Sequence, residues 1–68
     1  MATEYIRNSI GSPIGTMVTE SNGNVRIYDN RFNFLGSYNK GNDMVLDERL
    51  NPVGRGIASL GLIIGRLR

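Results

Sequence analysis

Ile27-Tyr28-Asp29-Asn30-Arg31-Phe32-Asn33-Phe34-Leu35-Gly36 is the stretch on which the reading of this chain turns. It opens on a β-branched residue and an aromatic, types that suit a pleated strand. Asp29 follows, and its side-chain oxygen can accept backbone N–H groups two residues on and so hold a turn. After a polar stretch the chain returns through Leu35 and Gly36. A glycine inside a strand marks a bulge, a bend or the close approach of another backbone. The stretch spells one β-hairpin.

Working outward, the same spelling recurs on both sides. Ile6-Arg7-Asn8-Ser9-Ile10-Gly11-Ser12-Pro13-Ile14-Gly15 lies 21 residues earlier, and Val45-Leu46-Asp47-Glu48-Arg49-Leu50-Asn51-Pro52-Val53-Gly54 lies 18 residues later. The first column is Ile6, Ile27 and Val45; the third is Asn8, Asp29 and Asp47. The ninth is Ile14, Leu35 and Val53, and the tenth is Gly15, Gly36 and Gly54. The sixth column is mixed: Gly11, Phe32 and Leu50. Between the units, Ser21-Asn22-Gly23-Asn24 carries the Asn-Gly pair of tight hairpins, and Asn39-Lys40-Gly41-Asn42 does the same work.

The expectation is an all-β single domain over residues 1–68. It is a meander with a three-fold internal repeat of short β-hairpins, units approximately 4–20, 25–38 and 43–57, making a small prism or shallow barrel. A short apolar segment, 58–68, closes the chain. Strands are expected near 4–7, 14–19, 25–28, 34–38, 44–46 and 52–57. Asn8, Asp29 and Asp47 read as turn holders, and Gly15, Gly36 and Gly54 as tight bends at one crowded place met three times.

Composition agrees. Nine Gly, eight Asn and two Pro supply turn formers, while Ala, the best helix former, stands only at positions 2 and 58. With 68 residues the core is small, and such domains need disulfides, metals or association. There is no Cys and no His, which removes disulfides, thiolate and imidazole metal sites, and His-based nucleophile activation. Asp43, Asp47 and Glu48 lack calcium-loop spacing, and Gly54-x-Gly56 and Gly61-x-x-x-Gly65 lack the Gly-Lys-Ser/Thr of a phosphate loop. No catalytic residue, metal site or cofactor is expected, and the chain reads as a non-enzyme.

Association is the remaining route. Val25 and Ile27 oppose Arg26 and Tyr28, and Met44 and Leu46 oppose Val45, so both faces of several strands carry apolar groups. Two covered faces in so short a chain imply a second copy. The tail reads best as an extended or irregular segment. As a strand it aligns Leu60, Leu62 and Ile64 to seal an oligomer interface. A helical turn is the runner-up, and a last edge strand of the monomer is equally open.

Basic residues are the functional lead. Net charge is +2, seven of the eight basic residues are Arg, and Arg55, Arg66 and Arg68 follow the last acid, Glu48. Arg26, Tyr28, Arg55 and Arg66 are the candidate ligand-binding set. Planar guanidinium forks beside an aromatic suit an anionic small molecule such as a nucleotide. A charge of +2 is small for nucleic acid, which is an unlikely partner. The longest apolar stretch, 57–64, is well short of the ~20 residues of a membrane span, and the acid at Glu4 argues against a secretory leader. A cytoplasmic location is the default.

The unit Ile27-Tyr28-Asp29-x-x-Phe32-x-x-Leu35-Gly36 resembles the repeat of the β-flower family, small bacterial and phage-encoded proteins of short hairpins around a shallow pseudo-symmetric barrel. Tyr5-Ile6-Arg7-Asn8-Ser9 with Ile14-Gly15, and Val53-Gly54-Arg55-Gly56, are similar to small phage-associated repeat proteins. The resemblance covers roughly residues 4–56, and the chain carries Phe32 and Leu50 where many such repeats have Gly. It implies a phage or mobile-element origin, a bacterial host cytoplasm, no catalytic residues, and lipid or small-ligand binding in a barrel mouth. The functional expectation is a non-catalytic homo-oligomeric binding or structural module. The alternative is a phage anti-defence protein sequestering a signalling nucleotide, and the second alternative a weak nucleic-acid or lipid binder.

Overall fold

A computed structural model describes residues 2–67; Met1 and Arg68, and with Arg68 the end of the expected tail, lie outside the described residues. Six strands form one antiparallel sheet in chain order: β1 (Ala2–Arg7), β2 (Pro13–Thr19), β3 (Val25–Asp29), β4 (Phe34–Asn39), β5 (Met44–Asp47) and β6 (Pro52–Arg55). Each strand lies within a residue or two of its expected place. The sheet is open, with β1 and β6 as its edges, where a prism or shallow barrel was expected.

The turns explain the spelling of the hairpins. Asn8 Oδ1 accepts the N–H groups of Ile10 and Ser12 at 3.1 and 3.0 Å. Asp29 Oδ1 accepts those of Arg31 and Asn33 at 2.8 and 2.9 Å, and Asp47 Oδ1 those of Arg49 and Asn51 at 2.9 Å each. The fourth residue of each turn donates its N–H back to the same residue's carbonyl: Gly11 to Asn8, Phe32 to Asp29, Leu50 to Asp47. That fourth residue is left-handed in all three, with φ of 86° at Gly11, 62° at Phe32 and 65° at Leu50. The mixed sixth column is therefore unified by backbone conformation and not by side-chain chemistry. Just beyond each turn the register slips at a bulge, between Ile6/Arg7, Ile27/Tyr28 and Val45/Leu46, opposite the Ile14-Gly15, Leu35-Gly36 and Val53-Gly54 steps.

The tail is helical, which corrects its expected extended form. A 3₁₀ turn (Ile57–Ser59), α1 (Leu60–Ile64) and a second 3₁₀ turn (Gly65–Leu67) follow one another. Gly56 turns the chain out of β6 at φ 82°, and its N–H donates to the Asp43 carbonyl. Ser59 Oγ donates to the Arg55 carbonyl at 2.7 Å. The reversal is this tight because the tail must fold back over the sheet it has just left. Alone it is too short to be helical in water, so packing against the sheet holds it in that form.

That packing assigns the three repeated glycines. A Cβ on Gly54 would meet Ser59 Oγ at 2.7 Å, one on Gly36 would meet Ile63 Cδ1 at 3.0 Å, and one on Gly15 would meet Leu67 Cδ1 at 2.7 Å. Residues 59, 63 and 67, four apart and on one helical face, thus lie over positions 54, 36 and 15. None of these glycines has a positive φ; each sits at a bulge and lies under the tail's track. The register sets them one cross-strand row apart, since Gly15 faces Asp29, Gly36 faces Ile27, and Gly54 faces Val45 opposite Tyr38 and Val25. The helical segment therefore crosses the sheet on a diagonal.

The core lies between tail and sheet. Val25, Ile27, Tyr38 and Val45 from the strands meet Leu60 and Ile63 from α1, with Ile6, Met17, Leu35, Ile64 and Leu67 around them. Fully burying one such aliphatic side chain contributes roughly 1.5–3 kcal/mol. Of the expected interface trio, Leu60 is buried in this core, Ile64 packs beside it, and Leu62 is 61% exposed on the other side of the helix. The three do not share a face, because the segment is helical and not a strand.

Candidate interaction site

Directly opposed residues of an antiparallel pair share a face. The face away from the helix accordingly carries two rows: Tyr5, Thr16, Tyr28 and Phe34, then Thr3, Val18, Arg26, Ser37, Leu46 and Pro52. Met44 and Arg55 pair on the same face nearer the far end. No helix lies on it among the described residues, and Asn30 and Phe32 of the β3–β4 turn share a hollow with Tyr5 and Thr16 at its end. Thr16 is buried at the foot of the first row, Val18, Tyr28, Phe34, Met44 and Leu46 are half-buried, and Tyr5 is 62% exposed. Tyr28 and Phe34 meet edge to face, ring centroids 5.9 Å apart, which fixes an aromatic centre on the face.

Of the candidate set, the structure places Arg26, Tyr28 and Arg55 on this face and Arg66 elsewhere. Arg26 stands beside Tyr28, and Glu20 approaches it at 3.4 Å. Tyr28 first and Glu20 second hold its guanidinium above the ordinary arginine value. Arg55 lies three strands away, on edge strand β6. Arg66 sits in the tail's last turn and donates to Glu48, the leading cause of its raised pKa. Arg26 and Arg66 are thus each matched by an acid. No salt bridge involves Arg55 among the described residues.

Three of the acids, Asp29, Asp43 and Asp47, are engaged by neighbouring groups. Asp29 and Asp47 are each held below the ordinary carboxylate range, in both cases first by the backbone N–H four residues on, from Asn33 and Asn51. Asp43 accepts the Tyr38 hydroxyl at 2.6 Å, which pushes the phenol up. Among the described residues no group of three acids converges on a metal site, and no helix is long and apolar enough to cross a membrane.

Two hollows lie at the end of the sheet that holds the Asn8, Asp29 and Asp47 turns. An open groove of about 610 Å³ is lined by Arg7, Asn8, Ser9, Ile14 and Leu67. A smaller one of about 150 Å³ is lined by Tyr5, Pro13, Gly15, Thr16, Asn30 and Phe32. Neither includes Arg26, Tyr28, Arg55 or Arg66. The same end carries exposed Ile10, Phe32 and Leu50, of which Phe32 and Leu50 stand in the mixed sixth column and Ile10 in the column before it. Two apolar residues where a glycine is conformationally preferred was the available signal.

No protein-family model, curated protein or solved structure matches the chain.

Proposed function

We propose that the chain is a non-catalytic module of three copies of one hairpin unit that self-associates through its helix-free sheet face. The observation that carries this reading is the uncovered pair of rows centred on Tyr28, Phe34, Val18 and Leu46, on the side of the sheet that the tail leaves free. Identical turn hydrogen bonds and equivalent bulges at three places support the repeat.

A second copy suits this face better than solvent does. Strands of four to seven residues at about 3.3 Å per residue, side by side at about 4.8 Å, set the size of this face. Polar Arg26, Ser37 and Thr3 break up the apolar rows, as expected of a specific interface rather than a second core. Replacing Leu46 by Lys tests the reading. The variant keeps the tail-side core, so it stays folded by circular dichroism while its sedimentation coefficient falls to that of a monomer. An unchanged coefficient contradicts the proposal.

A second reading rests on Arg26 beside Tyr28, with Phe34 against Tyr28's ring. Charge and aromatic surface together suit an anionic, stackable ligand such as a nucleotide. Calorimetric titration of the wild type and of Arg26→Ala with a nucleotide mixture decides it. Absence of heat in the wild type ends this reading and leaves self-association standing.

A further inference from the structure

Because the meander is antiparallel, the β1–β2, β3–β4 and β5–β6 turns all emerge at one end of the sheet. Each carries a large apolar side chain that the fold leaves uncovered: Ile10 is 83% exposed, Phe32 70% and Leu50 65%. The β2–β3 and β4–β5 turns at the opposite end expose no such residue. Phe32 and Leu50 moreover occupy the left-handed position that Gly11 fills in the first turn. Side chains at positive φ are strained, and exposure of this degree returns little packing in exchange. Strain kept without a packing return points to a function at the tips.

The charges around the tips are of both signs with a small positive excess. Arg31 precedes Phe32 and Arg49 precedes Leu50, and neither makes a salt bridge among the described residues. Arg7, at the foot of the first turn, donates to the Gly11 carbonyl. The acids of this end stay charged: Asp29 and Asp47 accept the turn N–H groups with Arg31 and Arg49 helping to hold them ionised, and Glu48 pairs with Arg66. Arg7, Arg31, Arg49 and Arg66 against Asp29, Asp47 and Glu48 leave this end of the sheet a net charge of +1.

We propose that this end of the sheet docks on an anionic lipid surface, with Ile10, Phe32 and Leu50 entering the headgroup region and Arg31 and Arg49 pairing with lipid phosphates. Neighbouring tips stand two strands apart, roughly 10 Å, so the row extends over about 20 Å. Apolar insertion combined with basic residues is also the pairing that gives stable interfacial binding where either alone is marginal. Tyr5 and Thr16 of the free face line the same hollow as Phe32, so this surface meets the self-association face at that corner, and vesicle binding and oligomeric mass are read separately.

Vesicle flotation tests it, using phosphatidylcholine vesicles with and without phosphatidylglycerol. The wild type is expected to float with the anionic vesicles, less so as salt rises, and to stay behind with the neutral ones. The double variant Phe32→Gly/Leu50→Gly is expected to lose binding about ten-fold or more. Its fold is not at risk, since glycine suits both positions, and a retained or raised melting temperature verifies that. Arg31→Gln/Arg49→Gln is expected to reduce anionic binding to the neutral level. A wild type that fails to float, equal flotation with both vesicles, or undiminished binding by the glycine variant overturns the proposal. So does loss of oligomeric mass in the glycine variant without any vesicle binding by the wild type, which assigns the tips to a second copy.

Discussion

Ile63 of the tail lies against Gly36 of β4, so closely that a Cβ at position 36 would come within 3.0 Å of the Ile63 Cδ1 and 2.6 Å of the Leu46 carbonyl oxygen. The carbonyl is backbone and cannot step aside as a side chain tip can. Gly36→Ala is therefore expected to destabilise the protein by about 2–3 kcal/mol, in the range of overpacking substitutions. At Gly54 the obstacle is the Ser59 side chain, so Gly54→Ala should cost less. Gly61 and Gly65 have nothing within 4 Å and no positive φ, and alanine at either should stabilise by about 0.5–1 kcal/mol. Urea denaturation of the four variants checks the order. Equal effects at positions 36 and 61 would remove the tail from its track over the glycines.

The left-handed turn positions make an opposite pair of predictions. Phe32→Gly and Leu50→Gly should each stabilise by about 0.5–1 kcal/mol, because a left-handed non-glycine costs about 1–2 kcal/mol and glycine returns part of that through its unfolded-state entropy. Gly11→Ala should destabilise by about 1 kcal/mol on the same argument. Thermal melts of the three variants against the wild type decide it. A fall in melting temperature at Phe32→Gly would show that the exposed ring packs against something that holds the fold.

Much of this fold is written locally, and that is why it was legible. Strand positions follow from β-branched runs, and the turns from single residues, Asn8, Asp29 and Asp47, whose side chains bond their own neighbours. The repeated glycines announced a crowded place but not its occupant. The occupant over Gly15 is Leu67, 52 residues downstream, and no local rule links the two. The tail itself favoured a strand by composition, since Ile-rich, Gly-containing segments are poor helices; the sheet overrides that preference by offering Leu60 and Ile63 a place in the core. Leu62 does not share a face with Leu60 for the same reason, because a strand's period of two and a helix's 3.6 select different partners for Leu60. The arginine set was legible as composition only. Which acid neutralises Arg26 or Arg66 is settled by strand register and by the path of the tail.

Acid should weaken the turns. Asp29 and Asp47 have folded pKa values below their ordinary value, so the unfolded chain binds protons more readily. Their contribution is fully present above the ordinary carboxylate pKa of about 4 and is lost as pH falls through the lower folded values. Stability is thus expected to be flat near neutrality and to decline below about pH 4. Asn8 holds the equivalent turn without a charge, so Asp29→Asn/Asp47→Asn should keep the fold and reduce that decline. Denaturation midpoints from neutral to acid pH, wild type against variant, check the sign. An equally steep decline in the variant would place the acid sensitivity elsewhere.

Self-association through the helix-free face is tested most directly by native mass spectrometry of the purified protein, followed by the denatured mass of the same sample. The account predicts a closed oligomer, an integer multiple of the 7.5 kDa chain. Mass in excess of that multiple identifies a retained ligand, and the mass itself gives its class. A folded monomer at all accessible concentrations would contradict the account: Val18, Tyr28, Phe34 and Leu46 would then be the ordinary wet face of a sheet whose one core lies beneath its tail.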